Sequence, residues 1–189
     1  MNKIQWNADP MHTQIGFKVR HMMISNVTGS IGKFDINIIS DDDNFSNPVV
    51  TLTADVSSIT TGIEQRDNHL KSGDFFSSDE YPQITFKSTS YKKVDDEKYK
   101  LSGDLQMKGV TKPVTLDVEF SGLMKDPWGN LRAGFTVAGK INRKDWGLNY
   151  NTVLETGGVM VSEEVKINCE VELIKQVVLE ETEEPALHN

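Results

Sequence analysis

A two-residue rhythm dominates the chain. From Ser30 onward, Ser30, Gly32, Phe34, Ile36 and Ile38 share one phase, while Ile31, Lys33, Asp35 and Asn37 share the other. Val50, Leu52, Ala54 and Val56 alternate with Thr51, Thr53 and Asp55, and Val114, Leu116, Val118 and Phe120 with Thr115, Asp117 and Glu119. The clearest run is the last, Val165, Ile167, Cys169, Val171 and Leu173 against Lys166, Asn168, Glu170 and Glu172. Shorter runs recur at Ile15–Val19, Ile84–Ser88, Tyr99–Met107 and Ala133–Ile141. The pattern predicts about eight strands, each with one dry and one wet face. Half-wet strands imply an antiparallel sheet, because parallel strands buried on both faces read as continuous apolar runs.

Turn-forming clusters separate these runs at Ser40–Pro48, Lys93–Lys98, Lys108–Pro113 and Lys125–Asn130. Pro113 is expected at a strand start, where a missing donor is tolerated. Asp41–Asp43 and Asp95–Asp96 read as solvated loops, Trp128 as a hairpin-tip aromatic, and Trp146 as a ring packed against the end of the sheet. Only Gly62–Ser72 reads as helix. Thr61 and Glu64 fit a capping box, Ile63 and Leu70 share a face, Asp67 and Lys71 form an (i, i+4) pair, and Gly73 is a plausible stop. The resulting fold class is all-β, an extended eight-stranded antiparallel barrel with one short helix, since a sheet closed on itself hides one face of every strand and removes its edges. A two-sheet sandwich is the alternative.

The 189 residues suit one domain, with residues 1–176 as the barrel and Val177–Asn189 as an acidic tail. Glu180, Glu181, Glu183 and Glu184 supply −4 of the formal charge of −8, and no Lys or Arg accompanies them. Twenty basic against 28 acidic residues argue against a nucleic-acid binder, which needs clustered cations to displace counterions from phosphate. The same balance argues against steering toward anionic lipid headgroups. No run approaches the ~18 apolar residues of a membrane-spanning helix. The single cysteine, Cys169, rules out an intramolecular disulfide framework and a multi-cysteine zinc site. The first residues lack a basic segment followed by an apolar run, so a cytoplasmic location is the expectation.

The inward phase mixes large residues with unusually small ones, Gly32, Ala54, Ser88, Gly103, Ala133 and Gly139. These either leave room for a slender ligand or mark bulges and corners of the barrel. The lining expected for such a pore is Phe17, Val19, Phe34, Ile36, Leu52, Ala54, Phe86, Leu101, Leu105, Leu116, Val118, Phe120, Ala133, Phe135, Val137, Ile167 and Val171. Ala54 and Ala133 are the positions where a bulky substitution should block it. No charged residue shares the inward phase, which predicts an apolar occupant.

A longer series of motifs supports this reading. Asp9-x-x-His12, Phe17-x-Val19-x-His21 and Gly29-x-x-Gly32-x-Phe34 are followed by Ser58-Ile59-x-Thr61-Gly62, Arg66-Asp67-x-His69-Leu70 and Asp74-Phe75-Phe76. Then come Tyr81-Pro82-x-Ile84-x-Phe86, Gly103-x-Leu105, Gly109-Val110-Thr111-Lys112-Pro113-Val114 and Asp145-Trp146-Gly147. In number and order, from about Trp6 to Leu173, they resemble the YceI-like family of lipocalin-like, polyisoprenoid-binding proteins. The resemblance implies a barrel that holds a prenyl chain, such as a prenylated quinone or prenyl phosphate, in an apolar pore. It implies no obligatory cofactor beyond the bound lipid, transient membrane contact and a homodimer.

Polar candidates are fewer. His12, His21, Arg66, Asp67 and His69 form the expected rim or headgroup cluster, with Asp9 beside His12. Arg66, His21 and His69 could donate to a quinone carbonyl or phosphate, and a phosphate would favour free amides near Thr61–Gly62. No histidines stand at a tight metal spacing such as H-E-x-x-H, so no metal is expected. No G-x-S-x-G elbow is present, Cys169 reads as a small buried hydrophobe, and His188 lies in the tail. A lipid carrier or store is therefore the leading expectation, and the chain is read as a binding protein rather than an enzyme. Two alternatives stand beside it: a metal-assisted hydrolase or isomerase at the histidine rim, and a ligand-free barrel acting through protein contacts.

Overall fold

The computed structural model describes residues 2–176; the acidic tail and His188 lie outside the described residues. Eleven strands occur in chain order: β1 (Ile4–Ala8), β2 (Gln14–His21), β3 (Ser25–Ile31), β4 (Phe34–Ser40), β5 (Val49–Asp55), β6 (Ile59–Thr60), β7 (Gln83–Lys93), β8 (Lys98–Met107), β9 (Val110–Lys125), β10 (Leu131–Asn142) and β11 (Glu164–Lys175). A single α-helix, α1 (Glu64–Lys71), lies between β6 and β7 among the described residues. No helix there is long and apolar enough to cross a membrane.

The eleven strands amount to eight. β1 pairs with β4 and β2 with β3 in nearly the same register (Asn7↔Asn37, Ile15↔Ile31), so β1–β2 and β3–β4 are two long strands, each interrupted once. β5 pairs with β4 and β6 with β3, which makes β5–β6 a third interrupted strand. Each of the eight is antiparallel to the next, and β11 returns to pair with both β1 and β2. The sheet is thus a closed up-and-down barrel, and a sandwich is excluded.

The interruptions lie side by side and are knitted by side chains. After the Asp9 amide donates to the Glu172 carbonyl (2.8 Å) the ladder to β11 lapses; Thr13 Oγ1 then donates to the same carbonyl (3.2 Å) and accepts from the Glu172 amide (3.1 Å). At Gly32–Lys33 the Gly32 amide donates to the Ser58 carbonyl (3.2 Å) and the Lys33 amide to Ser58 Oγ (2.9 Å). This second break shifts the side-chain phase. Ile31 is buried in β3, whereas Ser30 is half-buried and Gly32 is exposed, so neither belongs to the inward set with Phe34 and Ile38.

Other local expectations are revised. The turn at Lys108–Pro113 contracts to Lys108–Gly109, both with positive φ (49° and 73°), the two-residue hairpin geometry that matches strand twist. Pro113 therefore sits inside β9 opposite Asp104, in a stretch that β10 does not reach, so its lost donor breaks no ladder on that side. In α1 the N-cap is Ile63 and no side chain caps it; Ile63 is exposed, and only Leu70 of the expected pair faces inward. Asp67 turns back to Thr60 and Thr61 instead of pairing with Lys71. The helix ends at Ser72 with extended backbone rather than at Gly73.

One barrel end is closed by rings. The Ser40–Pro48 turn, whose Asp41–Asp43 run is expected to be solvated, is organised by the Asp42 carboxylate, which accepts from the Asn44 and Ser46 amides (both 3.0 Å) and Ser46 Oγ (2.7 Å). It turns Phe45, at φ +58°, back into the barrel. There the ring lies 4.7 Å from Trp6, 4.9 Å from Phe135 and 6.0 Å from Phe120. Trp6 Nε1 donates to Ser40 Oγ (3.2 Å), and Trp128 stands exposed at the nearby β9–β10 tip as expected.

An ionic clasp crosses the same end. Arg132 Nη1 donates to Asp9 Oδ2 (2.8 Å) and Glu172 Oε1 (2.7 Å), and its Nε donates to Asp126 Oδ2 (2.8 Å). His12 Nδ1 lies 2.8 Å from Asp9 Oδ2. Bonds from His12 and then Arg132 hold the Asp9 carboxyl at about 2, below its ordinary 3.8, while Asp9 raises His12. A depressed carboxyl stabilises the fold above its ordinary pKa, and that contribution is lost as pH falls toward the depressed value. Wild-type stability should therefore drop as pH falls from about 4 toward 2 beyond what the other carboxylates cause, and Asp9→Asn should remove that part of the drop. Urea midpoints across this range check it; superimposable curves for the two proteins would refute the clasp.

Candidate functional site

The barrel encloses a cavity of about 430 Å³, within the range of ~300–1,000 Å³ usual for small-molecule sites. Its wall is almost wholly hydrocarbon. Phe17, Val19, Ile36, Leu52, Phe86, Leu101, Leu105, Leu116, Val118, Phe135, Val137, Ile167 and Val171 line it, joined by Ile15, Phe45, Phe75, Phe76, Tyr91, Ile141, Leu148 and Met160, among others. Phe34, Ala54, Phe120 and Ala133 do not. Ala54 and Ala133 are each only 1% exposed, packed into solid core, so a tryptophan there would overpack the wall rather than obstruct the lumen. Ser88 is also withdrawn from the inward set: it lies at a register shift in β7, and its Oγ accepts from the Val50 amide (2.8 Å).

The inward glycines are not voids. A Cβ on Gly29 would stand 2.2 Å from the Phe17 ring, one on Gly103 2.4 Å from Phe86, and one on Gly139 2.5 Å from a Leu116 methyl. Each glycine lets a neighbouring side chain lie flat along the wall instead of projecting into the lumen. The cavity thus owes its width to rings laid over glycine, a relation between paired strands that a linear reading of small residues misses. Tyr91 stacks on Tyr99 at 4.6 Å, and burial, then Tyr99, pushes its phenol well above the usual range. Cys169 also faces the cavity; burial pushes its thiol up to about 11, which leaves it inert as a nucleophile.

Polar groups gather at the end opposite the aromatic plug, where α1 and the segment after β10 meet. Arg20, His21, Thr61, Arg66, His69, Arg143 and Tyr150 line the cavity there, which corrects the expectation of a wall without charge. Arg66 Nε donates to Thr61 Oγ1 (2.7 Å) and Nη2 to the Thr61 carbonyl (2.9 Å). Thr61 in turn donates from its hydroxyl (2.6 Å) and its amide (2.7 Å) to Asp67 Oδ1. Burial alone would raise the Asp67 carboxyl; the bonds from Thr61 and Thr60 outweigh it and hold it below the usual value. The Gly62 amide donates to Thr60 Oγ1 (3.2 Å), so the amides expected to cradle a phosphate at Thr61–Gly62 are already taken. His69 Nε2 lies 2.8 Å from Asp74 Oδ2, with its ring edge-on to Phe75 (5.1 Å) and Tyr150 (4.8 Å).

The five expected rim residues therefore separate. Arg66, His69 and His21 face the cavity, Asp67 stands behind Arg66 and orients it through Thr61, and His12 belongs to the clasp at the far end. Among the described residues Asp9, His12 and Glu172 bring ligand atoms within 4.8 Å of one another, but the cation seated between Asp9 and Glu172 is the Arg132 guanidinium. Sequence reasoning missed Arg143, two residues beyond the last inward position of β10, in a short 3-10 turn that ends at Trp146. Trp146 itself is buried as expected and donates to the Leu105 carbonyl (2.9 Å). The in-phase run through Ile141 and the adjoining Asp145-Trp146-Gly147 motif were the available signals for Arg143.

Comparison with known proteins agrees with this geometry. A family profile described as the YceI-like domain matches residues 6–173. A UPF0312 protein of Staphylococcus aureus (strain N315) is 44% identical over 165 residues, covering 87% of this chain and 94% of its own length. The crystal structure of a Campylobacter jejuni YCEI protein superposes with a TM-score of 0.72 at 34% identity, covering 89% of this chain and 96% of that one. A polyisoprenoid binding domain from Saccharophagus degradans, implicated in plant cell wall breakdown, shares the fold at a TM-score of 0.69 and 15% identity, covering 90% of this chain and 98% of that one. With most of its length matched by the profile and a closed lipocalin-like barrel around an apolar cavity, the chain belongs to the YceI-like family.

Proposed function

We propose that this protein binds an isoprenoid lipid in the barrel cavity and carries or stores it, without catalysing a reaction on it. The observation that carries this reading is the hydrocarbon-walled cavity of about 430 Å³, with its charged lining residues gathered at one end. The likeness in fold to a polyisoprenoid binding domain supports it. So does the inert Cys169, and so does the separation of His12, in the far-end clasp, from the cavity-facing His21 and His69. The ligand class includes prenylated quinones and prenyl phosphates, and no cofactor beyond the lipid is required.

Energetics favour carriage over trapping. Each buried CH₂ is worth ~0.8 kcal/mol against water, so a five-carbon unit gains on the order of 3–4 kcal/mol. Several units would pass the ceiling of about −20 kcal/mol seen for noncovalent binding, so the simple sum overstates affinity. A prenyl lipid in a bilayer is already in hydrocarbon, and transfer to the cavity gains only packing and headgroup contacts. Exchange with a membrane is therefore near balance. Met22, Met23 and Ile24, 41%, 56% and 80% exposed in the turn after β2, lie beside the open end and suit transient contact with a bilayer. A cytoplasmic setting is proposed with this role. Self-association is proposed too, through the exposed Met124 and Trp128 of the β9–β10 hairpin.

Organic extraction of the purified protein followed by mass spectrometry should release a prenyl lipid in near-stoichiometric amount. Val137→Trp, which projects into the lumen, should reduce the yield severalfold while circular dichroism remains that of a folded barrel. A lipid-free extract together with no uptake from prenyl-lipid vesicles would overturn the reading. Ile24→Glu should slow uptake from vesicles without weakening binding of detergent-dispersed lipid; an unchanged transfer rate would refute the contact through this turn. Trp128→Ser should convert a sedimenting dimer to a single chain, and a wild-type protein that sediments as one chain refutes self-association.

A further inference from the structure

We propose that the open end of the cavity selects lipids with an anionic head, a phosphate or diphosphate ester, through Arg143 assisted by Arg66 and Arg20; this rests on the lipid-binding reading above and narrows it. The chain has four arginines. Arg132, away from the cavity, is bound to three carboxylates. The other three all line the cavity, and among the described residues none of them has a carboxylate within 4.0 Å. In a chain where acidic residues outnumber basic ones 28 to 20, the absence of carboxylate partners at just these three is informative.

Arg143 is the most telling of them because it is only 4% exposed. Its Nε donates to the Ser162 carbonyl (2.9 Å), its Nη2 to the Val161 carbonyl (3.3 Å), and its Nη1 to the Leu148 carbonyl. Three neutral carbonyls satisfy donors but do not cancel the charge, and two of the five guanidinium N–H groups remain. Acids nearby are engaged elsewhere. Glu163 acts on Arg143 through space but is bound to Lys144 Nζ (2.8 Å), Asp67 is held by Thr60 and Thr61, and Asp74 pairs with His69. Burial weakens the protonated form of Arg143, and the Glu163 charge opposes this. A buried cation without a counter-ion is costly, and a ligand that brings the anion recovers that cost. A quinone carbonyl could accept a hydrogen bond but would leave the charge unbalanced, whereas a phosphate answers the charge and the planar fork together.

Farnesyl diphosphate, farnesol and inorganic diphosphate separate the possibilities by titration of the full-length protein. Farnesyl diphosphate should bind at least tenfold more tightly than farnesol, and inorganic diphosphate at equal concentration should not displace it. Arg143→Gln should bring the two lipids close to parity by weakening only the diphosphate, while Arg143→Lys should keep part of the preference. Because Arg143 also ties down the segment after β10, the double variant Arg66→Gln, Arg20→Gln serves as a second test and should reduce the preference severalfold. Equal affinity of the wild type for farnesol and farnesyl diphosphate overturns this inference and leaves lipid binding intact. Equal competition by inorganic diphosphate assigns the arginines to a free-anion site and also overturns it. Binding of neither lipid overturns both readings.

Discussion

Closure of the sheet along β11 is the constraint on which everything else depends. β11 gives one edge to β10 over its whole length and must share the other between β2, at Lys166–Glu170, and β1, at Leu173–Lys175. The lapse falls at Glu172, whose carbonyl keeps the Asp9 amide (2.8 Å) and whose amide takes the Thr13 hydroxyl (3.1 Å) in place of a strand partner. A buried backbone group left without a partner costs roughly 1–3 kcal/mol, so this substitution of side chain for ladder decides whether the seam holds. The breaks at Asp9–Thr13, Gly32–Lys33 and Val56–Ser58 lie on neighbouring strands and form one crease across the barrel wall. An eight-stranded barrel has an interior just wide enough to be filled by side chains or to hold one small ligand. The crease changes the phase of three strands at once, which takes Ser30 and Gly32 out of the wall and puts Ile31 and Ile59 into it.

The same crease explains which features were legible in sequence. Strand number, antiparallel order and the dry face of β5 and β8 to β11 follow from period-two alternation, because a strand that runs unbroken keeps its phase. Ile31 was assigned to the wet face because a chain that kinks between strands can change phase without any change in composition. Phe45 was hidden because it sits among Asp42, Asp43, Asn44 and Ser46, a run whose composition is polar at every other position. The helix residues carried a genuine signal, yet a short helix over a cavity is held by Asp67 reaching back to the preceding segment rather than by a capping box. Ala54 and Ala133 were placed on the correct face but at the wrong depth, since side chains that share a face can line a lumen at one level and fill solid core at another.

Depth along the axis also separates structure from candidate function. At the plugged end, charge is compensated: Arg132 answers Asp9, Asp126 and Glu172, and four aromatic rings exclude water beside it. At the other end, Arg143 and Arg66 bind neutral oxygens and, among the described residues, pair with no carboxylate. Burying a charge with dipoles alone is tolerable only where something further offsets it. The contrast between the ends is therefore the contrast between a clasp that is complete in the free protein and a mouth that, on the proposal above, is completed by what it binds. Between them the glycine-backed rings of Phe17 and Phe86 fix the bore, so the hydrocarbon part of a ligand is bounded by packing and its polar part by charge. A carrier needs this division: an apolar channel that distinguishes little between bilayer and protein, and one polar end where the difference in affinity is made.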